Sequence, residues 1–139
     1  VLPALVTGGV ERGTIETTIG RHPIHRKKMA ANVRNGRDAV SHFEVLEALG
    51  EAALVLVKIE TGRTHQIRVH MAHIKNPVIG DTVYGRGRAS TIKADRQMLH
   101  AANLSLNHPI SGKPMTFEAP LPADMETLLA QLRSEIRKK

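Results

Sequence analysis

Apolar positions along the first half of this chain recur at strand spacing. Leu2 to Thr7 is a short apolar run closed by Gly8-Gly9, and Thr14 to Ile19 is rich in β-branched residues. Both predict strands. The runs "AVSHFEVLEAL" and "ALVLVKIE", joined by Gly50-Glu51, predict a hairpin whose second strand is buried on both faces for most of its length. Between these strands, "GRHPIHRKKMAANVRNGRDA" from Gly20 to Ala39 holds Pro23, Gly36 and six Lys or Arg residues, and reads as a long basic loop.

After Glu60 the period changes. Thr61-Gly62-Arg63 has turn chemistry, Thr64 fits an N-cap, and Ile67, Met71 and Ile74 fall at i, i+4 and i+7, so a helix is predicted from about Thr64 to His73, stopped by Asn76-Pro77. Pro77 to Ser90 reads as a Gly-rich loop with a short strand at most, and Asp95 to Leu99 as a helical turn. Ala102, Leu104 and Leu106 alternate as in a strand, and a turn through Gly112 leads to a partner strand from Met115. Pro122 to Lys139 predicts an amphipathic helix with Met125, Leu128, Leu129, Leu132 and Ile136 as its apolar stripe, acids at its start and bases at its end. The order β-β-ββ-α-ββ-α implies an α+β domain: a mixed, mainly antiparallel sheet with packed helices.

At 139 residues the chain fits one domain, or one large piece of a domain. Lys and Arg number 20 against 13 Asp and Glu, a formal charge of +7. That balance suits a polyanionic partner such as nucleic acid and equally a solvated basic surface. The absence of cysteine excludes disulfides and thiolate metal sites and points to a reducing, cytoplasmic home. No apolar run reaches the length of a membrane span. The aromatic residues are Phe43, Tyr84 and Phe117, with no Trp, so a sheet that stacks successive bases on aromatic rings is excluded.

The densest chemistry lies in "ETGRTHQIRVHMAH", residues 60–73. His65, His70 and His73 stand at i, i+5 and i+8, so only the last two share a helical face, and the spacing does not support a metal site. The serines lack a G-x-S-x-G elbow, and the glycines of residues 80–87 precede no helix that could make a phosphate loop. Arg63 stands at the approach to the helix, where backbone donors also point, which favours an anion. Pairing of Arg63 and Arg68 with carboxylates of a neighbouring element is the competing reading. The basic loop residues Arg21, Arg26, Lys27, Lys28, Arg34 and Arg37, with Arg86 and Arg88, fit either a solvated charge run or a phosphate-contacting surface.

In that order "TGRTHQIRVH", "GDTVYG" and "RQMLHA", with the flanking segments, resemble the C-terminal part of the catalytic domain of RluA/RluD-type pseudouridine synthases. The RluD-like enzymes of large-subunit (23S) ribosomal RNA are the best match, and the similarity covers essentially the whole chain. The resemblance implies an isomerase that detaches uracil from its ribose, turns it and rejoins it through carbon, using one aspartate and no metal or organic cofactor. That aspartate lies in an "HRLD"-type motif, which residues 1–139 do not contain; Asp81 matches the separate "GD" step. An S4-like RNA-binding domain, present in many such enzymes, is likewise not within this sequence.

By the same resemblance Arg63 matches the arginine that pairs with the catalytic aspartate, Leu99 corresponds to an apolar wall of the uracil pocket, and Arg68 braces the helix. The family's strand-leading tyrosine falls at about Leu2, where this chain departs from the pattern. Arg21, Arg26, Lys27, Lys28, Arg34, Arg86 and Arg88 would contact RNA. The expected whole is a monomeric, cytoplasmic enzyme acting on ribosomal RNA, inactive when reduced to this segment. A non-catalytic basic RNA-binding module is the alternative from another class, and a basic structural domain with no RNA role is the third.

Overall fold

The hairpin of the long alternating runs is the centre of the fold. The computed structural model of the chain describes residues 2–7, 12–25, 27–85, 92, 94, 96–100, 103–107, 114–118 and 121–137. In it β4 (Arg37–Leu49) and β5 (Ala52–Ile59) pair antiparallel around Gly50, whose φ of 72° supplies the left-handed turn. As the sequence predicts, β5 is buried along most of its length.

On one side β5 pairs with β1 (Leu2–Thr7), and on the other β4 pairs with β2 (Gly13–Arg21), which carries β3 (Met29–Ala31) at its outer edge. The order is β1-β5-β4-β2-β3, and every described pairing is antiparallel. A separate two-stranded ladder joins β6 (Asn103–Asn107) to β7 (Pro114–Glu118). Helices α1 (Gln66–His73) and α2 (Ala123–Arg137) complete the α+β architecture. The turn expected through Gly112 and the side chain of Ile136 lie outside the described residues.

A β-bulge in β4 lets one sheet carry a helix on each face. Ser41, Phe43 and Val45 stand opposite Ile59, Val57 and Val55, but the register shifts between Val45 and Glu47, so Glu47 stands opposite Leu54. The extra residue reverses the alternation. Ser41 therefore faces α1, through His70, while Glu47 faces α2, through Arg133. Met125, Leu128, Leu129 and Leu132 of α2 are buried in the main core with Leu5, Leu49 and Leu54.

The basic segment differs from the expected loop. Met29–Ala31 forms β3, Asn32 and Asn35 take positive φ, and the Asn32 amide donates to the Thr18 carbonyl at 2.7 Å. The polar turn residues read as an open loop because the pairing they permit is only three residues long.

Residues 96–99 also depart from expectation: no helical turn forms there. Main-chain bonds run from Leu5 N to Met98 O, from Met98 N to Ile79 O and from Ile79 N to Leu5 O, at 2.9, 2.8 and 2.8 Å. These non-local partners leave the segment extended, with Leu99 bridged to Ala4. The expected loop from Pro77 has one strand-like point, the Val78 bridge to Val6. Gly80 makes the close approach possible: its φ is +84°, and a Cβ there would lie 2.0 Å from the Arg96 carbonyl oxygen.

Candidate active site

Among the described residues, the buried polar side chains are Ser41, Gln66, His70 and Asp81. Three of them form one chain of hydrogen bonds, and the fourth anchors α1 from its other side.

Helix α1 begins two residues later than predicted. Thr64 is exposed, His65 adopts φ 56°, and no side chain caps the helix from the N-cap position. Gln66, the first helical residue, instead ties the preceding turn to β4. Its Oε1 accepts from Thr61 Oγ1 at 2.6 Å and from the Arg63 amide at 3.0 Å. Its Nε2 donates to the Val40 carbonyl and to Ser41 Oγ, both at 2.9 Å. The Gln66 amide then closes the turn on the Arg63 carbonyl at 3.0 Å. All four hydrogen-bonding sites of the side-chain amide are used, as burial requires. Thr61 Oγ1 in turn accepts from the Val40 amide at 3.0 Å.

Ser41 passes the network on to His70, whose Nδ1 lies 2.8 Å from Ser41 Oγ and whose Nε2 lies 2.8 Å from Thr17 Oγ1. Both ring nitrogens are thus occupied by hydroxyls of β4 and β2. Burial first, then the charge of neighbouring His73, pushes the His70 pKa down to about 4, so the ring is neutral at pH 7. The ring thus ties α1 to β2 and β4.

On the other flank, Arg68 forks onto Asp81, Nε to Oδ2 at 2.8 Å and Nη2 to Oδ1 at 3.0 Å. Asp81 Oδ1 also accepts from the amides of Val83 and Tyr84 at 3.0 Å each. Burial by itself raises the pKa of such a carboxyl; the Arg68 fork and the two amides outweigh it and hold Asp81 below the usual carboxylate range. The ordered turn delivers Tyr84, whose hydroxyl accepts from the Met29 amide at 2.9 Å and lies 2.8 Å from His65 Nδ1. Its ring lies under the Arg68 guanidinium, 5.1 Å from the centroid. Arg68 braces the helix, as expected. Tyr84 and Gln66 are the contributions that periodicity missed; "GD" followed by a lone tyrosine and a glutamine inside an apolar helical face were the available signals.

Arg63 occupies the turn between β5 and α1. Its Nε donates to the Asp38 carbonyl at 2.7 Å. Among the described residues no carboxylate lies in ion-pair range of it, so the competing reading of a neighbouring carboxylate holds for Arg68 and not for Arg63. The other proposed site residues lie elsewhere. Leu99 is half-buried against the main core beside β1. Arg21, Lys27 and Arg34 are exposed and Lys28 is half-buried, all along the edge formed by β2, β3 and the start of β4, which brings them together. Arg26, Arg86 and Arg88 lie outside the described residues. A cleft of about 490 Å³ opens on the sheet at the other end of β2, lined by Arg12, Thr14, Phe43 and Lys58 with His42, which bridges Thr14 Oγ1 at 2.9 Å and Glu60 at 3.1 Å.

The family model described as RNA pseudouridylate synthase matches residues 4–73, from β1 to the last residue of α1, and so takes in Thr17, Ser41, Arg63, Gln66 and His70. The chain belongs to this family. An uncharacterized RNA pseudouridine synthase of Chloroflexus aurantiacus is 49% identical over 134 residues, which are 96% of this chain and 42% of that protein. Ribosomal large subunit pseudouridine synthase D of Nitrosomonas europaea is 48% identical over 138 residues, covering 94% and 40%. The Escherichia coli K12 protein of the same name is 45% identical over 134 residues, covering 88% and 41%. The chain therefore spans about two fifths of the length of these relatives. Among solved structures, human RNA pseudouridylate synthase domain containing 1 superposes with a TM-score of 0.75 at 28% identity, covering 96% of this chain and 64% of that one. The RluD-like resemblance and the α+β fold class both hold.

Proposed function

We propose that the protein to which this chain belongs isomerises uridine to pseudouridine in large-subunit ribosomal RNA, and that this segment supplies the half of the site that receives the reactive carboxylate. The observation that carries the reading is the state of Arg63. Its backbone is fixed at the mouth of α1, its Nε is held by a main-chain carbonyl, and its Nη groups have no carboxylate among the described residues. A guanidinium so anchored can present a fork to a carboxylate arriving from outside this sequence. Asp81 and Asp124 are poor candidates for that carboxylate, because each is already held by two bonds from an arginine, Arg68 and Arg96 respectively.

Isomerisation breaks the N1–C1′ bond of the nucleoside, forms C5–C1′, and moves a proton from C5 to N1. Arg63 would hold the aspartate in position for that exchange, Leu99 would border the base, and the exposed cations of the β2–β3 edge would bind phosphates. No metal or organic cofactor is assigned a role. Three features support the ribosomal substrate: two relatives named for the large subunit, the segment shared with them, and the basic charge. The test is to incubate full-length protein with 23S ribosomal RNA transcript and map pseudouridine. Site-specific pseudouridine upholds the reading, whereas salt-sensitive binding without product returns the protein to a non-catalytic RNA-binding module.

A further inference from the structure

The arginine at the centre of this reading has a flexible side chain, and a catalytic fork must be held within a fraction of an ångström. What fixes it is visible in the turn. Both main-chain groups of Arg63 are bound by one residue: its N–H donates to Gln66 Oε1 and its carbonyl accepts from the Gln66 N–H, each at 3.0 Å. The far end of the same amide is fastened to β4 at Val40 and Ser41. The guanidinium is referred to that strand as well, through the carbonyl of Asp38 two residues earlier. The backbone and side chain of Arg63 are thus registered on one strand, the former through a single buried amide.

We propose that Gln66 is the positioning residue for Arg63, a role that rests on the reading of Arg63 given above. Gln66 does not touch the substrate; it locks the 61–63 turn so that the guanidinium meets its carboxylate in one orientation. A glutamate in its place keeps the acceptor side toward Thr61 and Arg63 but turns a second oxygen onto the Val40 carbonyl, where a donor is needed. An isosteric methionine removes both sides. Thr61→Val acts on the same turn more gently, deleting the hydroxyl that bridges the Val40 amide and Gln66 Oε1.

The test uses full-length protein and two readouts. The first is a kinetic cycle of Gln66→Met and Thr61→Val, each built with Arg63 intact and with Arg63→Lys. Positioning predicts a kcat loss of roughly 10- to 100-fold for Gln66→Met, and less for Thr61→Val, with KM changed under about threefold. It also predicts that most of this loss disappears in the Arg63→Lys background, where there is no fork left to orient. Leu129→Ala, which loosens the α2 core without touching the turn, serves as the stability control and keeps the parent kcat. Equal kcat losses in both Arg63 backgrounds, or none in either, overturn the proposal.

The second readout is solvent exchange of the Arg63 Nε proton by NMR. Its bond to Asp38 protects it in the parent; Gln66→Met or Thr61→Val should speed exchange at least about tenfold. Unchanged protection in a folded variant overturns the proposal. Because this signal does not depend on turnover, it separates the two claims: protection lost in a protein that makes no pseudouridine leaves the positioning role standing and removes the enzymatic reading.

Discussion

Arg68 and Asp81 are joined by two parallel hydrogen bonds of 2.8 and 3.0 Å, with the aspartate side chain wholly enclosed and the arginine side chain 14% exposed. The same carboxylate oxygen that meets Arg68 Nη2 orders the turn carrying Tyr84. Removing one partner leaves the other uncompensated in the interior. Arg68→Ala is therefore expected to cost about 3–5 kcal/mol in chemical denaturation. Asp81→Asn should lose less, since the amide oxygen can still accept from the Val83 and Tyr84 amides. Asp81 titrates lower in the folded than in the unfolded protein, so its contribution is complete above the unfolded carboxylate range and is lost as pH falls through the folded pKa.

His70 gives a pH dependence higher on the scale. Its folded pKa is about 4 against 6.5 for the unfolded ring, so the unfolded chain takes up the proton first. Stability that is whole above pH 6.5 should decline as pH falls through 4, by about 3 kcal/mol in all. Denaturation midpoints measured across that window check it. A phenylalanine at position 70 should remove this part of the slope while leaving Thr17 Oγ1 without its ring partner and Ser41 Oγ with the Gln66 amide alone.

The Gly80 approach predicts a sharp backbone effect. An added Cβ would overlap the Arg96 carbonyl at 2.0 Å, and φ of +84° disfavours any side chain. Gly80→Ala should cost about 3 kcal/mol or more, well above an ordinary glycine-to-alanine change in a loop. Thermal melts of the two proteins decide it.

Much of this was legible in the chain, and the illegible parts share a cause. The alternation of β5, the Ile67–Met71–Ile74 stripe and the apolar face of α2 are local patterns, and the structure follows them. Gln66 was not legible, because its partners lie on β4 and on the preceding turn and no spacing within the helix reports them. The same is true of Met98, whose main chain bonds to Leu5 and Ile79 and so stays extended. The bulge at Val45–Glu47 has no glycine to announce it, yet it decides which face each end of β4 presents.

The basic edge predicts a separable RNA contribution. Replacing exposed Lys27 and Arg34 by alanine in the full-length protein should weaken ribosomal RNA binding and flatten the plot of log affinity against log salt by about 0.7–0.9 for each phosphate no longer neutralised. Because neither side chain bonds to the Arg63 turn, kcat at saturating RNA should stay within about twofold. Filter binding across a salt series and single-turnover kinetics supply the two halves of the comparison.

The central claim is that Arg63 receives the reacting carboxylate, and Arg63→Ala in the full-length protein tests it most directly. Pseudouridine formed in 23S ribosomal RNA should fall by on the order of 10³-fold or more, with RNA affinity within about threefold of the parent. Turnover unchanged by the substitution would contradict the account and remove Arg63 from the active site.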